Sequence, residues 1–200
     1  MRKDAQANRE RLLEAADRMF REHGVEVSVG EIADAAGVGR GTLFRNFKNK
    51  DDLIAAVLVE RIGEVLDFGR QLLDHDPDDA EVTFTFVGGL VQRQEENRAL
   101  LQAVTDEFMH KAPELQRAHT ALLELFNATL ARGKRAGAIR PEATATDLMM
   151  LIKGLCMLDP INQGPLPPET VIRHLDLLRA ALTTPDYSRP LRGQPVPFPV

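Results

Sequence analysis

Four consecutive residues, Ser28-Val29-Gly30-Glu31, and a glycine six positions further on, Gly37, constrain this chain more than any other part of it. The Ser28 hydroxyl can accept from the Glu31 amide while the Glu31 carboxylate reaches back to the Ser28 amide, a reciprocal pair that starts a helix. Val27 and Ile32 stand where a hydrophobic staple closes around that start. The helix runs through Ile32, Ala33 and Ala36 to Gly37, whose missing side chain permits a sharp reversal. A second short helix follows from about Arg40 to Phe47. Upstream, Leu12, Leu13, Ala16, Met19 and Phe20 recur at the three-and-four spacing of one helical face, and Gly24 supplies a stop, so a longer helix spans Ala5 to about His23. One longer helix and two short ones joined by a tight turn make a helix-turn-helix unit, its core lying over roughly residues 28–47.

The rest of the chain reads as helix too, which predicts an all-α fold. Asn49 and Asp52 are placed to cap a helix from Lys50 to about Leu73. Further helices are expected near 78–95, 97–109, 113–136, 144–158 and 168–183, divided by Asp76-Pro77, Pro113, Gly137 to Pro141 and Pro160 to Pro168. After Thr184 come Pro185, Pro190, Pro195, Pro197 and Pro199, a composition that favours an extended tail. The expected division is a helix-turn-helix domain at 1–50, a larger helical domain at 51–184, and the tail at 185–200.

Composition narrows the function. With 44% hydrophobic and 28% charged residues, and no apolar run approaching ~18 residues, the chain is expected to be soluble, with no membrane span. The opening Met1-Arg2-Lys3-Asp4 lacks the apolar stretch of a secretory signal, which points to the cytoplasm. Cys156 is the only cysteine, so neither an internal disulfide nor a multi-cysteine zinc site can form. His110 and His119 are nine apart, no metal-ligand spacing, and neither a metal nor another cofactor is expected.

The net charge of −5 hides an asymmetry. Residues 1–50 carry ten Lys and Arg against eight Asp and Glu, whereas residues 51–200 carry fifteen against twenty-two. Arg40, Arg45, Lys48 and Lys50 fall within eleven residues that contain no acid. Phosphate attraction acts over about one Debye length, ~8 Å at physiological salt, so this local excess outweighs the total. The second short helix is narrow enough for the major groove of double-stranded DNA. There Arg40 can grip a guanine, Gly41 allows close backbone approach, and Thr42 can hydrogen-bond or touch a thymine methyl. Leu43 and Phe47 are expected to face inward, leaving Arg45 and Asn46 toward DNA. Lys48, Lys50 and the start of the helix at Ser28 suit phosphates.

At these positions the chain resembles the tetracycline-repressor (TetR) family. The matching residues are Arg11-Leu12-Leu13-Glu14-Ala15-Ala16, Met19-Phe20, Gly24, Ser28, Ile32-Ala33, Ala36-Gly37-Val38, Gly41-Thr42-Leu43-Phe44, Phe47, Lys50 and Leu53. The resemblance implies a homodimer on a near-palindromic operator, with a larger helical domain that binds a small-molecule effector and dimerises through its last two helices. It also implies groove-facing roles for Arg40, Gly41, Thr42 and Arg45, and phosphate contacts for Ser28, Asn46 and Lys50. The family usually has tyrosine where this chain has Phe44, histidine at Asn46 and often serine at Gly39. Phe44 cannot donate a phenolic hydrogen bond, and is kept as a van der Waals contact. The implied function is a repressor released from its operator by the effector.

Downstream, Asp147 to Leu158 is apolar on nearly all sides and must be covered on several of them. Val171, Leu175, Leu178 and Leu182 form a seam of the kind that pairs helices. The stretch Arg135 to Pro141, followed by Asp147-Leu148, resembles the junction before the penultimate helix of the family. Candidate effector-binding residues are Phe84, Phe108, Met109, Phe126 and Met149, set against the simpler reading of them as core. Gly88-Gly89 marks either a kink or a close approach. An enzyme is the rival class, but Gly37, Gly39 and Gly41 follow a helix rather than a strand, and Thr42 stands where a phosphate loop needs its third glycine. An all-helical protein-interaction module leaves the basic segment unexplained.

Overall fold

The structure, a computed structural model, describes residues 2–76, 79–92, 108, 112–157 and 168–183, and among these the chain forms eight helices and no strand. They are α1 (Arg2–His23), α2 (Val29–Ala35), α3 (Arg40–Asn46), α4 (Lys50–His75), α5 (Val82–Gln92), α6 (Pro113–Arg135), α7 (Ala145–Met157) and α8 (Pro168–Leu182). Most bounds fall within one or two residues of those the periodicity predicts, although α5 starts four residues later than expected, and its expected end near residue 95 lies outside the described residues. The helix expected at 97–109 and the proline-rich tail lie outside the described residues, except for helical Phe108. No helix among the described residues is long and apolar enough to cross a membrane.

The described residues divide into two compact units, the first holding 2–64, 108 and 112–119, the second 65–76, 79–92, 120–157 and 168–183. In the first, Leu12, Leu13, Ala16 and Phe20 of α1 meet Ile32 and Ala33 of α2 in one buried cluster. Leu43 and Phe47 enter it from α3, and Leu53, Ile54, Val57 and Leu58 from the start of α4. Two seven-residue helices are too short to be stable alone, so this shared core holds them. Asp17 of α1 adds a polar tie. Nε and Nη2 of Arg61 on α4 both lie 2.5 Å from its Oδ1, while Arg21 pairs with Oδ2.

The second unit is built around aromatic rings. Phe86 of α5 stacks on Phe68 of α4, with centroids 6.2 Å apart, and meets Phe126 of α6 edge-on at 5.2 Å. Gly89 is the close approach of the glycine pair, since a Cβ there would lie 2.5 Å from the Phe68 ring, whereas Gly88 has no such neighbour. Arg132 of α6 donates from Nη1 and Nη2 to the carbonyls of Asp76 and Leu73, 2.7 Å each, so it satisfies acceptors left over where α4 ends. Thr83 Oγ1 donates to the Thr129 carbonyl at 2.9 Å, which fastens α5 to α6. Thr144 and Asp147 form a reciprocal cap at the start of α7.

The last two helices show where periodicity stops being informative. Leu178 and Leu182 are buried, and Val171 and Leu175 half-buried, so the seam on α8 turns into the chain's own core. The outward apolar residues of α8 are instead Ile172 and Leu177. On α7, Leu148 and Ile152 are buried while Met150 and Leu151 stand exposed, so the chain alone covers only part of this greasy helix.

Candidate nucleic-acid interface

The α2–α3 corner forms as its sequence dictates. Ser28 is the N-cap of α2, its hydroxyl accepting from the Glu31 amide at 3.2 Å while its own amide donates to Glu31 Oε2 at 2.9 Å. These bonds, the Ser28 side chain first and its backbone second, hold the Glu31 carboxyl below the usual carboxylate range. At the far end Gly37 has φ +64°, a conformation open mainly to glycine, and the chain reverses there. The amides of Gly37 and Val38 close the turn onto the carbonyls of Asp34 and Ala33, at 3.1 and 3.0 Å. Helix α3 then starts with Gly39 as N-cap, which supplies a carbonyl to the Thr42 and Leu43 amides but no capping side chain.

Burial sorts the residues of α3 into two faces. Leu43 and the following Phe47 are buried in the first unit's core. Arg40, Gly41, Phe44 and Arg45 are exposed, and the pairs 40 with 44 and 41 with 45 lie four apart, which puts them on one face. Half of Phe44 is exposed to solvent. Thr42 and Asn46 are half-buried at the margin.

Three side chains of this surface are already held in place. Arg45 Nε donates to the Gly41 carbonyl at 3.0 Å, and Asn46 Nδ2 donates to the Thr42 carbonyl at 2.8 Å. Arg40 lies across α2, its guanidinium against Gly30. Beyond α3, Lys48 is exposed and Lys50 half-exposed, on a segment fixed by Asn49 Oδ1 accepting from the Asp52 amide at 2.8 Å and Asp52 Oδ2 accepting from the Lys48 amide at 3.1 Å. Ser28 is exposed, and its hydroxyl hydrogen is not used by the cap.

Sequence reasoning missed two contacts here. One is the seat of Arg40 on Gly30. The other is Arg9 of α1, whose guanidinium carbon stands 5.1 Å from the centre of the Phe47 ring, a cation–π distance. No local pattern signals either, since Gly30 and Arg40 lie on different helices and Arg9 and Phe47 are 38 positions apart.

The candidate effector residues scatter. Phe126 is buried among the rings of the second unit, and Met149 is half-buried on α7. Phe84 lies under the Arg179 guanidinium, 4.5 Å from the ring centre, and Arg179 also pairs with Glu81. An open cleft of about 260 Å³ takes in Phe84 with Val87, Leu175 and Leu178, but neither Phe126 nor Met149. Phe108 packs against the core of the first unit. Met109 lies outside the described residues.

Comparison with known proteins fits this arrangement. Residues 12–57 match the family model for bacterial regulatory proteins of the tetR family, and residues 76–183 match that for the C-terminal domain of SbtR-like transcriptional regulators. Both describe regulators rather than enzymes. Over 105 residues the chain is 39% identical to an HTH-type transcriptional regulator of Staphylococcus aureus (strain USA300), a match that covers 52% of this chain and 57% of that relative. A TetR transcription regulatory protein from Mycobacterium vanbaalenii superposes with a TM-score of 0.65 at 28% identity, over 92% of this chain and 99% of that one. NalD of Pseudomonas aeruginosa, described as the secondary repressor of the MexAB-OprM multidrug efflux pump, superposes with a TM-score of 0.62 at 26% identity, over 91% and 98%. With one family model on the helix-turn-helix and a second spanning more than half of the sequence, the chain belongs to the TetR family of bacterial regulatory proteins.

Proposed function

We propose that this protein binds double-stranded DNA sequence-specifically as a cytoplasmic homodimer, reading each half of a palindromic operator with α3, and acts as a repressor that a small-molecule effector releases. The observation that carries the reading is the outward face of α3, where Arg40, Gly41, Phe44 and Arg45 stand exposed beside Lys48 on a helix whose other face is locked in the core. Residues up to about 50 serve as the reading head, and residues 51–184 as the regulatory and dimerising part.

In this reading the N-terminal end of α3 enters the major groove, and Arg40 donates to O6 and N7 of a guanine. Gly41 lets the backbone close on the groove wall, and Thr42 and Arg45 contact its edges. The Ser28 hydroxyl, the Asn46 amide, Lys48 and Lys50 hold phosphates, which fixes register without reading sequence. Phe44 lies against sugar or a thymine methyl. Repression is supported by the description of NalD as a repressor. Arg40→Ala is expected to cost about 1–3 kcal/mol at one base pair per half-site while leaving binding to random duplex nearly intact. Competitive titration with single-base operator variants measures it, and equal weakening on every sequence would remove Arg40 as a base reader.

Dimerisation is supported by the second unit. Met150 and Leu151 of α7 and Ile172 and Leu177 of α8 are all more than two-fifths exposed, and such apolar residues on two helices call for a cover. A twofold copy of the same surface supplies it, giving a four-helix interface. Ile172→Glu combined with Leu177→Glu should shift sedimentation from dimer to monomer at micromolar concentration. Helical content should stay unchanged, because neither residue contributes to the core. A double variant that remains dimeric would place the interface elsewhere.

A further inference from the structure

Gly30 is buried although it sits near the start of a seven-residue surface helix, and the atoms that crowd it belong to Arg40. A Cβ on Gly30 would lie 2.6 Å from Nη2, 2.9 Å from Cζ and 3.0 Å from Nε of that arginine. Real Cβ atoms almost never approach so closely. Three guanidinium atoms within 3.0 Å of that point show that the head group itself, and not only the aliphatic stem, rests on the glycine. Any side chain at position 30 would take the space the guanidinium occupies.

We propose that Gly30 is a specificity-determining position of the DNA interface: its missing side chain is the seat on which α2 positions the Arg40 guanidinium for base reading. The inference rests on the reading of Arg40 given above. An arginine side chain loses much rotational freedom when it engages a base edge, and holding it in advance reduces that loss. A two-pronged contact to guanine also tolerates little displacement of the group. Gly30 touches no base in this scheme, and acts through Arg40 as a positioning residue.

Substitution has opposite effects on fold and reading. Gly30→Ala replaces a poor helix former by the best one, at a φ that is not in the left-handed region, so the fold is not weakened. The side chain that must yield is the flexible end of Arg40. Attraction to phosphate persists because the charge remains, but the guanidinium loses its seat. A defect of packing would instead lower stability and binding to all sequences together.

The test uses the full chain and palindromic duplexes recovered by selection from a pool with randomised half-sites. Discrimination is the ratio of affinities for the selected duplex and for the same duplex changed at the Arg40 base pair. Arg40→Ala should lower this ratio roughly 5- to 150-fold. Gly30→Ala should lower it at the same base pair by at least about threefold, with an unchanged or higher Tm and little change on random duplex. In the Arg40→Ala background Gly30→Ala should add nothing, because the pair acts as one unit. Wild-type discrimination by Gly30→Ala, loss that adds to that of Arg40→Ala, or uniform weakening on all duplexes with a lowered Tm would each overturn the role of Gly30 while leaving Arg40 as a reader. Unchanged discrimination by Arg40→Ala itself would overturn both.

Discussion

Phe20→Ala is expected to lower the unfolding free energy by about 3–5 kcal/mol, the largest single effect foreseen for this chain. Phe20 has no exposed surface, and it is the largest such side chain in the buried cluster to which α1, α2, α3 and the start of α4 all contribute. Its removal deletes apolar contacts and leaves a cavity that short helices tied by a tight turn cannot close by moving one alone. Against a typical total of about 5–15 kcal/mol, the loss is about a fifth or more. DNA binding should fall with it, because this core, into which Leu43 and Phe47 pack, orients α3. Urea unfolding followed by circular dichroism measures the change, and a cost below about 1 kcal/mol would show that the cluster does not hold the unit together.

Arg61→Ala should cost about 2–3 kcal/mol. The Arg61 side chain is nine-tenths buried, and it meets an Asp17 side chain that is only 22% exposed. Breaking a fully buried pair from one side costs about 3–5 kcal/mol, chiefly through the charge left behind. The figure here is smaller because Asp17 keeps some water and keeps Arg21. The same argument predicts recovery: Arg61→Leu with Asp17→Ala removes both charges and should regain much of the loss. Equal destabilisation by the double variant and by Arg61→Ala would mean that the stranded carboxylate does not set the cost.

How much of this was legible in the sequence depends on the range of the interaction concerned. The capping box at Ser28 and Glu31, the reversal at Gly37 and the Asn49–Asp52 cap are all local, spanning at most a few residues, and each forms as its residues predict. The inward turn of Leu43 and Phe47 was equally legible, because a four-residue spacing defines a face. Contacts between distant residues were not. Asp17 and Arg61 are 44 positions apart, and Arg132 reaches 59 back to the Leu73 carbonyl. Each of these charges reads as solvated from its neighbours in sequence alone. The α8 seam shows a related limit, since periodicity reveals that a face is apolar but not which partner covers it. Leu178 and Leu182 turn inward, Val171 and Leu175 do so only in part, and the outward pair Ile172 and Leu177 falls outside the expected repeat. Ring and methionine character is common to core and pocket alike, and Phe126 lies among the rings of the second unit.

The seat of Arg40 on Gly30 joins the two kinds of information. Gly30 lies inside the local capping motif and Arg40 at the start of the next helix, and only the fold of the turn between them lays one across the other.

The most direct test of the central claim, that α3 makes this chain a sequence-specific DNA binder, is equilibrium titration of the wild-type protein with a selected palindromic duplex and with a random duplex between 50 and 200 mM salt. A protein that neutralises about 6–10 phosphates should lose roughly 10³- to 10⁵-fold in affinity across that range, with a linear dependence on the logarithm of salt concentration. At any one salt concentration the palindrome should bind at least about 10³-fold more tightly than the random duplex. Equal affinity for the two duplexes, or no binding to either at 50 mM salt, would contradict the claim.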